Sequence, residues 1–176
     1  MTTHAKTENH HGVFMTVSGH GVLIIGEAGI GKSSLAIELL HHGHQLIADD
    51  VIDFKIDAYD HVVGHCPEML SGLLHSRELG VISVPDVFGV SACALQSRLD
   101  LVVCIQKEPH HSVALTPELS HYTVCGKLFP LLVLDSHNPA SLHHRLKTWL
   151  AMQTRNNHAE TTLRQRQHHQ MANTIQ

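Results

Sequence analysis

The residues from Gly26 to Ser33, "GEAGIGKS", combine glycines, a lysine and a hydroxyl group in the spacing G-x-x-x-x-G-K-[ST]. Glycines let the backbone turn so that successive N–H groups point at phosphate oxygens, and the following helix N-terminus adds a positive dipole. A lysine at this position reaches the β- and γ-phosphates, and the serine hydroxyl can ligate Mg²⁺.

The context of this loop supports the same chemistry. An apolar run precedes it and a helical pattern follows it, as a phosphate-binding loop requires. The sequence therefore predicts a nucleoside triphosphate site. Its predicted binding residues are Gly26, Glu27, Ala28, Gly29, Ile30, Gly31, Lys32 and Ser33.

Two consecutive acids, Asp49 and Asp50, end the strand predicted after the phosphate-loop helix. Ligand sites in open α/β sheets lie at the carboxyl ends of strands, so these side chains are placed to face bound phosphates. One acid can orient Mg²⁺ while the other accepts a proton from an attacking hydroxyl. A solvated pair of acids in a turn fits the same spacing, so the residues alone leave both interpretations open.

Apolar periodicity predicts the elements that position these residues. A hairpin is predicted over Gly12–Val17 and Val22–Ile25, followed by a helix over Ser34–His42 that ends at Gly43. Further strands are predicted at 44–50, Val51–Ile56, His61–Val63, 79–84, Leu99–Ile105 and Leu131–Leu134. Further helices are predicted over Pro67–His75 and Pro139–Trp149, the second capped by Ser136 or Asn138. This mixture predicts an α/β fold with a mixed central sheet.

Composition limits the classes of function. The 176 residues are 43% hydrophobic and carry a net charge of -4, which suits one domain and gives no electrostatic case for nucleic acid. No apolar run spans a bilayer, and the polar start lacks the apolar core of a signal peptide. We therefore expect a cytoplasmic protein with no membrane partner, a flexible N-terminus at 1–10 and a polar, disordered tail at 156–176.

Histidine is unusually frequent, with 19 residues. Many stand in doublets: His41-His42, His110-His111, His143-His144 and His168-His169. Adjacent side chains on a helix or strand point apart, so we interpret the doublets as surface composition rather than a metal site. The four cysteines are widely spaced, and Cys104 lies in an apolar run where a buried free thiol is expected.

Three stretches resemble the catalytic domain of HPr kinase/phosphorylase, the bacterial serine kinase of the sugar phosphotransferase system. They are "HGVFMTVSGHGVLIIGEAGIGKSSLAIELLHHGHQLIADD", "CPEMLSGLLHSRELGVISVPDVFG" and, more weakly, "LDLVVCI". The resemblance implies a P-loop fold akin to that of phosphoenolpyruvate carboxykinases, with the catalytic domain at residues 11–155. The chain is similar to the short form of the family, which lacks the additional N-terminal domain.

The resemblance also implies an activity: ATP- and Mg²⁺-dependent phosphorylation of a serine in HPr or an HPr-like carrier, in the regulation of carbohydrate metabolism. It implies a homo-oligomer, usually a hexamer. Ser33 and Asp50 would bind Mg²⁺, and one of the two aspartates would be the base. His11 matches a family active-site histidine, and Arg77 matches the arginine of the second signature. The catalytic residues implied in this way are Asp49, Asp50, His11, Lys32 and Arg77.

The second signature departs from the family pattern. The chain has "HSRE" at 75–78 where the family usually has E-I-R-G, so His75 stands in the place of an acid. Neutral imidazole is a poorer Mg²⁺ ligand than carboxylate. Either Glu78 or Glu68 replaces that acid, or metal binding is weaker.

A second departure concerns the reverse reaction. "TVCGKL" stands in place of the family's arginine-rich loop V-R-P-G-R-N, with Val124 and Lys127 at the arginine positions. Lysine does not reproduce bidentate phosphate contact, so the kinase direction is favoured over the phosphorylase direction. Two alternatives stay open: a related kinase of another protein or small molecule, and an ATP-binding regulatory module with little turnover.

Overall fold

The computed structural model describes residues 7–108, 120–155 and 158–173. Within these ranges the strands are β1 Glu8–Val17, β2 His20–Gly26, β3 Gln45–Ile56, β4 Val62–His65, β5 Leu73–Ser76, β6 Gly80–Ser83, β7 Gln96–Arg98, β8 Leu101–Gln106, β9 Ser120–Val124 and β10 Lys127–Asp135. The α-helices are α1 Lys32–His41, α2 Val84–Phe88, α3 Leu142–Thr154 and α4 Ala159–Asn173, with short 3-10 helices at Glu68–Leu70 and Val90–Ala92.

Most of these strands form one mixed sheet. Among the described residues its order is β7-β4-β3-β1-β2-β8-β10-β9, and β5 pairs with β6 in a separate hairpin. The strands β2, β8 and β10 run parallel to one another, whereas the remaining neighbours are antiparallel. The predicted α/β fold with a mixed central sheet is confirmed.

The sheet is covered on both faces by apolar side chains. On one face α1 and α3 pack through leucines such as Leu35 and Leu146. On the other face Phe14 and Phe54 contact each other edge to face, with ring centroids 5.2 Å apart. Strand β2 lies between these layers and is buried on both faces, as its uninterrupted apolar run predicts.

The predicted hairpin and first helix are confirmed as β1, β2 and α1. Gly43 has φ +79° after α1, the left-handed conformation expected of a glycine at a helix C-terminus. The two strands predicted on either side of Val51 are one continuous strand, β3. The reason is that β1 pairs with β3 along nearly its full length, so the ladder continues through both aspartates.

Two local predictions are wrong. The helix predicted over Pro67–His75 is instead a 3-10 turn followed by strand β5. Gly72 has φ +73° and interrupts that apolar pattern, and β5 gains a partner strand that a short helix would lack. The cap of α3 is Ser141, whose Oγ accepts a hydrogen bond from the backbone N–H of His144, rather than Ser136 or Asn138.

The chain ends differ from the sequence expectation as well. Strand β1 starts at Glu8, inside the segment expected to be flexible. A helix, α4, occupies much of the stretch expected to be disordered. Its sequence is rich in good helix formers, and Glu160 pairs with Arg164 one turn later.

The histidine doublets differ in exposure. His143 is 2% exposed, so the surface interpretation is wrong for that doublet member, whereas His110-His111 lies outside the described residues. The four cysteines are free, and Cys104 is half-buried. No helix in the described part of the chain is long and apolar enough to cross a membrane.

Candidate active site

A cleft of about 670 Å³ opens where β2 turns into α1. Its walls come from β1, the phosphate loop, the middle of β3 and the β5–β6 hairpin. The lining residues are His11, Gly12, Gly26, Ala28, Gly29, Gly31, Lys32, Ser33, Ser34, Asp49, Asp50, His75, Ser76, Arg77 and Glu78. A cleft of this size is within the range that holds a nucleotide.

The phosphate loop leaves the sheet at Gly26, which pairs with Ile105 of the parallel strand β8. Ile30 is 8% exposed and packs in the core, so it anchors the middle of the loop. Gly29 and Gly31 have φ +80° and +113°, which glycine adopts without strain. Six of the eight predicted binding residues line the cleft; Glu27 and Ile30 do not, because one points to solvent and the other into the core.

Lys32 begins α1 and folds back over the loop. Its Nζ donates hydrogen bonds to the carbonyl oxygens of Gly26 at 2.8 Å and of Glu27 at 2.9 Å. Burial lowers the pKa of Lys32, and the nearby Asp49 carboxylate opposes that shift. The ammonium group is therefore held where a phosphate chain seated in the loop would meet it.

Asp49 is the half-buried member of the aspartate pair. It lies on β3 opposite Val13 of β1, and its Oδ2 accepts a 2.7 Å hydrogen bond from the backbone N–H of His75. Burial raises the pKa of Asp49 above its usual value, although the His75 N–H works in the opposite direction. A carboxylate whose proton affinity is raised in this way is a better base than an exposed one.

Asp50 differs from its neighbour in exposure and backbone. Its side chain is 77% exposed, and its φ of +71° turns it away from the regular pleat. His11 Nδ1 lies 3.1 Å from the Asp50 backbone oxygen and 3.8 Å from Oδ1. The side chains of His11 and Asp50 stand side by side at the open end of the cleft.

Arg77 reaches the cleft from the turn between β5 and β6. Its guanidinium lies so close to the Cα of Gly29 that a Cβ at that position would collide with it. The loop glycine thus leaves room for the arginine. The structure brings together all five residues implied to be catalytic, although they come from β1, α1, β3 and the β5–β6 turn.

Several lining residues were not predicted as site residues. Gly12 faces Asp50 across the β1–β3 pair, and Ser34, Ser76 and Glu78 complete the walls. The strand register that brings Gly12 to the cleft has no signal in a single sequence. Of the two acids considered as replacements at the second signature, Glu78 lines the cleft and Glu68 does not.

The β9–β10 turn lies apart from this cleft. Val124 is fully buried in the second core cluster, and Lys127 forms an ion pair with Asp60. Neither residue lines the cleft. The substituted arginine positions therefore supply no charge to the phosphate loop in this arrangement.

The donor set of the cleft suits Mg²⁺ bound together with phosphates. The hydroxyl of Ser33 and the carboxylates of Asp49 and Asp50 line the same space, and hard oxygen ligands are those that Mg²⁺ prefers. No group of three or more histidine, cysteine or acidic side chains in the described residues is placed to hold a metal alone. Mg²⁺ commonly takes one or two carboxylates and completes its shell with phosphate oxygens and water.

Known proteins share both sequence and fold with this chain. The family model of the HPr Serine kinase C-terminal domain matches residues 2–133. HPr kinase/phosphorylase from Stenotrophomonas maltophilia strain K279a is 44% identical over 129 residues, which cover 70% of this chain and 41% of that protein. HPr kinase/phosphorylase from Bordetella avium strain 197N is 46% identical over 99 residues, covering 56% of this chain and 32% of that protein. The aligned part of the chain thus spans less than half the length of these curated relatives.

The architecture has a solved counterpart. The structure of the Hpr(Ser) kinase/phosphatase from Coxiella burnetii superposes with a TM-score of 0.76 at 32% sequence identity, covering 84% of this chain and 96% of that chain. The expected P-loop fold of the phosphoenolpyruvate carboxykinase type is confirmed. The chain belongs to the HPr serine kinase C-terminal domain family.

Proposed function

We propose that the protein transfers the γ-phosphoryl group of ATP to a serine hydroxyl of HPr or an HPr-like phosphocarrier. The observation that carries the proposal is the position of Asp49: a half-buried carboxylate with a raised pKa stands next to the phosphate-loop lysine in one cleft. The curated relatives and the solved counterpart, all named as kinases of HPr, supply the substrate class.

The loop and its neighbours position the nucleotide. Backbone N–H groups of the loop and the ammonium of Lys32 hold the β- and γ-phosphates, and the guanidinium of Arg77 adds a second cation beside Gly29. Ser33 and Asp50 would hold Mg²⁺, and the ion would supply positive charge to the phosphate oxygens. The site catalyses the transfer mainly by positioning the reacting groups and by stabilising the charge that develops on them.

Asp49 is the proton acceptor in this proposal. The serine oxygen of the carrier attacks the γ-phosphorus, the bond from that phosphorus to the bridging oxygen of ADP breaks, and the hydroxyl proton passes to Asp49. Its burial and raised pKa suit this role better than the exposed position of Asp50. His11 stands beside Asp50 and lines the entrance through which the carrier hydroxyl comes.

The forward reaction is favoured over phosphorolysis. Lys127 is paired with Asp60 and Val124 is buried, so the β9–β10 turn brings no cation to an incoming phosphate. We also propose that several copies of the protein assemble, six by the family resemblance, and that the protein is cytoplasmic. The proposed catalytic domain of the protein comprises residues 11–155.

The test is a phosphotransfer assay with the purified chain, Mg²⁺, γ-labelled ATP and HPr from the same organism. We expect label on a carrier serine, lost in Asp49→Asn and retained in Asp86→Asn. Asp86 is an exposed aspartate on α2 outside the cleft, which makes it a matched control. A chase with phosphate or pyrophosphate then measures phosphorolysis, which we expect to be slow.

Other outcomes separate the alternatives. Bound ATP with no label on the carrier contradicts the carrier-kinase proposal, and label on a different acceptor then indicates a related kinase. Nucleotide binding that is the same in the parent, Asp49→Asn and Asp50→Asn, with no transfer by any of them, indicates a regulatory module.

A further inference from the structure

Helices α1 and α3 meet at a cluster of histidines away from the cleft. We use the term histidine cluster for His42 and His44, which flank Gly43 after α1, and His143 and His144, which lie in the first turn of α3. The rings of His42 and His143 have centroids 4.0 Å apart. Those of His44 and His144 lie 6.2 Å and 5.2 Å from the His143 ring, so His143 is the centre of the cluster.

The side chain of His143 is buried, and its ring nitrogens lack hydrogen bonds within the described residues. Its side chain is 3% exposed, and among the described residues neither nitrogen has a hydrogen-bond partner. Nδ1 is 3.7 Å from Glu38 Oε1, beyond hydrogen-bond range, and that oxygen already accepts a 2.9 Å bond from Ser141 Oγ. Nε2 of His44 is likewise buried, with no hydrogen-bond partner in the part of the chain that the structure describes. Unpaired buried polar atoms cost stability, so these histidine nitrogens lower the stability of the docked arrangement of α1 and α3.

The groups that face His143 are mostly basic. Glu38 comes from α1, His42 and His44 come from the segment after α1, and His144 and Lys147 come from α3 itself. Burial lowers the pKa of His143, and the neighbouring His42, His144 and Lys147 lower it further against the opposing effect of Glu38. Burial and the charge of Lys147 also lower the pKa of His44. Both rings are therefore neutral at pH 7.

We propose that the histidine cluster is a pH-sensitive latch, which holds α3 against α1 at neutral pH and releases it below about pH 6. A proton on His143 places a cation among three other imidazoles, those of His42, His44 and His144, and close to Lys147, with the Glu38 carboxylate as compensation. Separation of the helices hydrates the buried ring of His143 and the buried Nε2 of His44. The docked state binds fewer protons than the released state, so its stability falls as pH drops below the ordinary histidine pKa of about 6.5.

The latch is connected to the cleft through α1. Leu146 and Leu150 of α3 share one core cluster with Leu39 of α1, so release of α3 uncovers the apolar side of α1. That helix also carries Lys32 and Ser33 at its other end. Acidification thus loosens the element on which the phosphate site is built.

The single tryptophan of the chain reports the docking directly. Trp149 lies on α3 and is partly buried against the same core cluster. We would record the peak position of its emission, together with far-UV circular dichroism, from pH 8 to pH 5 on the full chain. The expected result is a reversible red shift with a midpoint below about pH 6.5 while the far-UV signal is retained.

Variants identify the group responsible. His143→Leu places an apolar side chain in the buried position, and this side chain cannot be protonated, so the red shift should disappear. His121→Leu, at an exposed position of β9, is the matched control and should keep it. His42→Gln removes a facing imidazole at an exposed position, which leaves the fold intact, and should move the midpoint to lower pH.

Three results would overturn the latch. One is an emission peak that does not change in the parent protein. Another is the same transition in the parent and in His143→Leu, or, if that variant does not fold, an unchanged midpoint in His42→Gln. The third is loss of far-UV signal together with the red shift, since that indicates global unfolding rather than release of α3.

Discussion

The backbone N–H of His75 donates a 2.7 Å hydrogen bond to Oδ2 of Asp49, and this bond joins the β5–β6 hairpin to the middle of the main sheet. Because the donor is the main chain, any residue at position 75 can supply it. The imidazole of His75 is exposed and lines the cleft together with Ser33 and Asp50. The side chain at position 75 can therefore change what the cleft binds without moving Asp49.

We expect His75→Glu to strengthen Mg²⁺ binding. A carboxylate at this position adds a hard oxygen ligand where the natural chain has imidazole, which Mg²⁺ binds poorly. The Mg²⁺ concentration for half-maximal nucleotide binding should fall roughly tenfold, equivalent to about 1.4 kcal/mol. His75→Gln keeps the backbone bond and adds no charge, so its Mg²⁺ requirement should stay near that of the parent. An equal requirement in all three proteins would remove position 75 from the metal site.

Asp49→Asn should raise the stability of the fold while it abolishes transfer. Since burial raises the pKa of Asp49, the folded chain binds a proton there more readily than the unfolded chain. That carboxylate therefore lowers stability progressively as pH rises above the usual aspartate range, and the neutral amide escapes this effect.

The measurement is thermal unfolding of Asp49→Asn against the parent at pH 4 and pH 7. We expect a gain in Tm of roughly 2–4 °C at pH 7, the shift that about 1 kcal/mol causes in a domain of this size, and a smaller gain at pH 4. The exposed Asp86→Asn should show no gain at either pH. A lower Tm for Asp49→Asn at pH 7 would mean that its bond to His75 outweighs the cost of its burial.

The part of the site that is local in sequence could be predicted from sequence. The phosphate loop, the strand before it and the helix after it follow from glycine spacing and apolar periodicity, and the acid pair follows from its place at the end of an apolar run. These signals depend on neighbouring residues alone. The resemblance to the kinase family added His11 and Arg77, which no spacing argument identifies.

The features that could not be predicted depend on contacts between residues that are far apart in the chain. β5 has the apolar spacing of a helix and becomes a strand because β6 pairs with it and Gly72 breaks the pattern. The burial of His143 depends on where α3 meets α1, about a hundred residues earlier in the chain. A single sequence contains the residue types but not the packing of one helix on another.

Gly29→Ala and Gly19→Ala form a matched pair that separates backbone strain from site chemistry. Both glycines have a positive φ, +80° and +82°, so an alanine is strained at either position by about 1–2 kcal/mol. A Cβ at Gly19 meets open space, whereas one at Gly29 collides with the guanidinium of Arg77. The arginine is a flexible side chain and can move away, so we expect a similar loss of Tm in both variants.

The affinity for ATP and the rate of phosphoryl transfer should differ between Gly29→Ala and Gly19→Ala. Displacement of Arg77 removes a cation from the phosphate loop, so Gly29→Ala should bind ATP roughly tenfold more weakly, about 1.4 kcal/mol, and transfer more slowly. Gly19→Ala lies in the turn between β1 and β2 and should retain parental affinity. Equal affinities in the two variants would indicate that Arg77 does not contact the phosphates.

Removal of residues 159–176 should leave the stability of the domain almost unchanged. The described side chains of α4 are largely exposed, with its apolar members Leu163 and Met171 at 39% and 68%. Its Glu160–Arg164 pair is a surface ion pair within one helix, and such pairs contribute little. By contrast Leu146 of α3 is fully buried, so Leu146→Ala should cost about 2–5 kcal/mol in the free energy of unfolding.

Chemical denaturation of the truncated chain and of Leu146→Ala, each against the parent, checks this contrast. The truncated chain should keep the denaturant midpoint of the parent, because the folded core ends with α3. The Leu146 variant should unfold at a clearly lower midpoint, because α3 loses its contact with α1. A truncated chain as unstable as the Leu146 variant would place α4 in the folded domain, and the boundary proposed at residue 155 would then have to move toward the C-terminus.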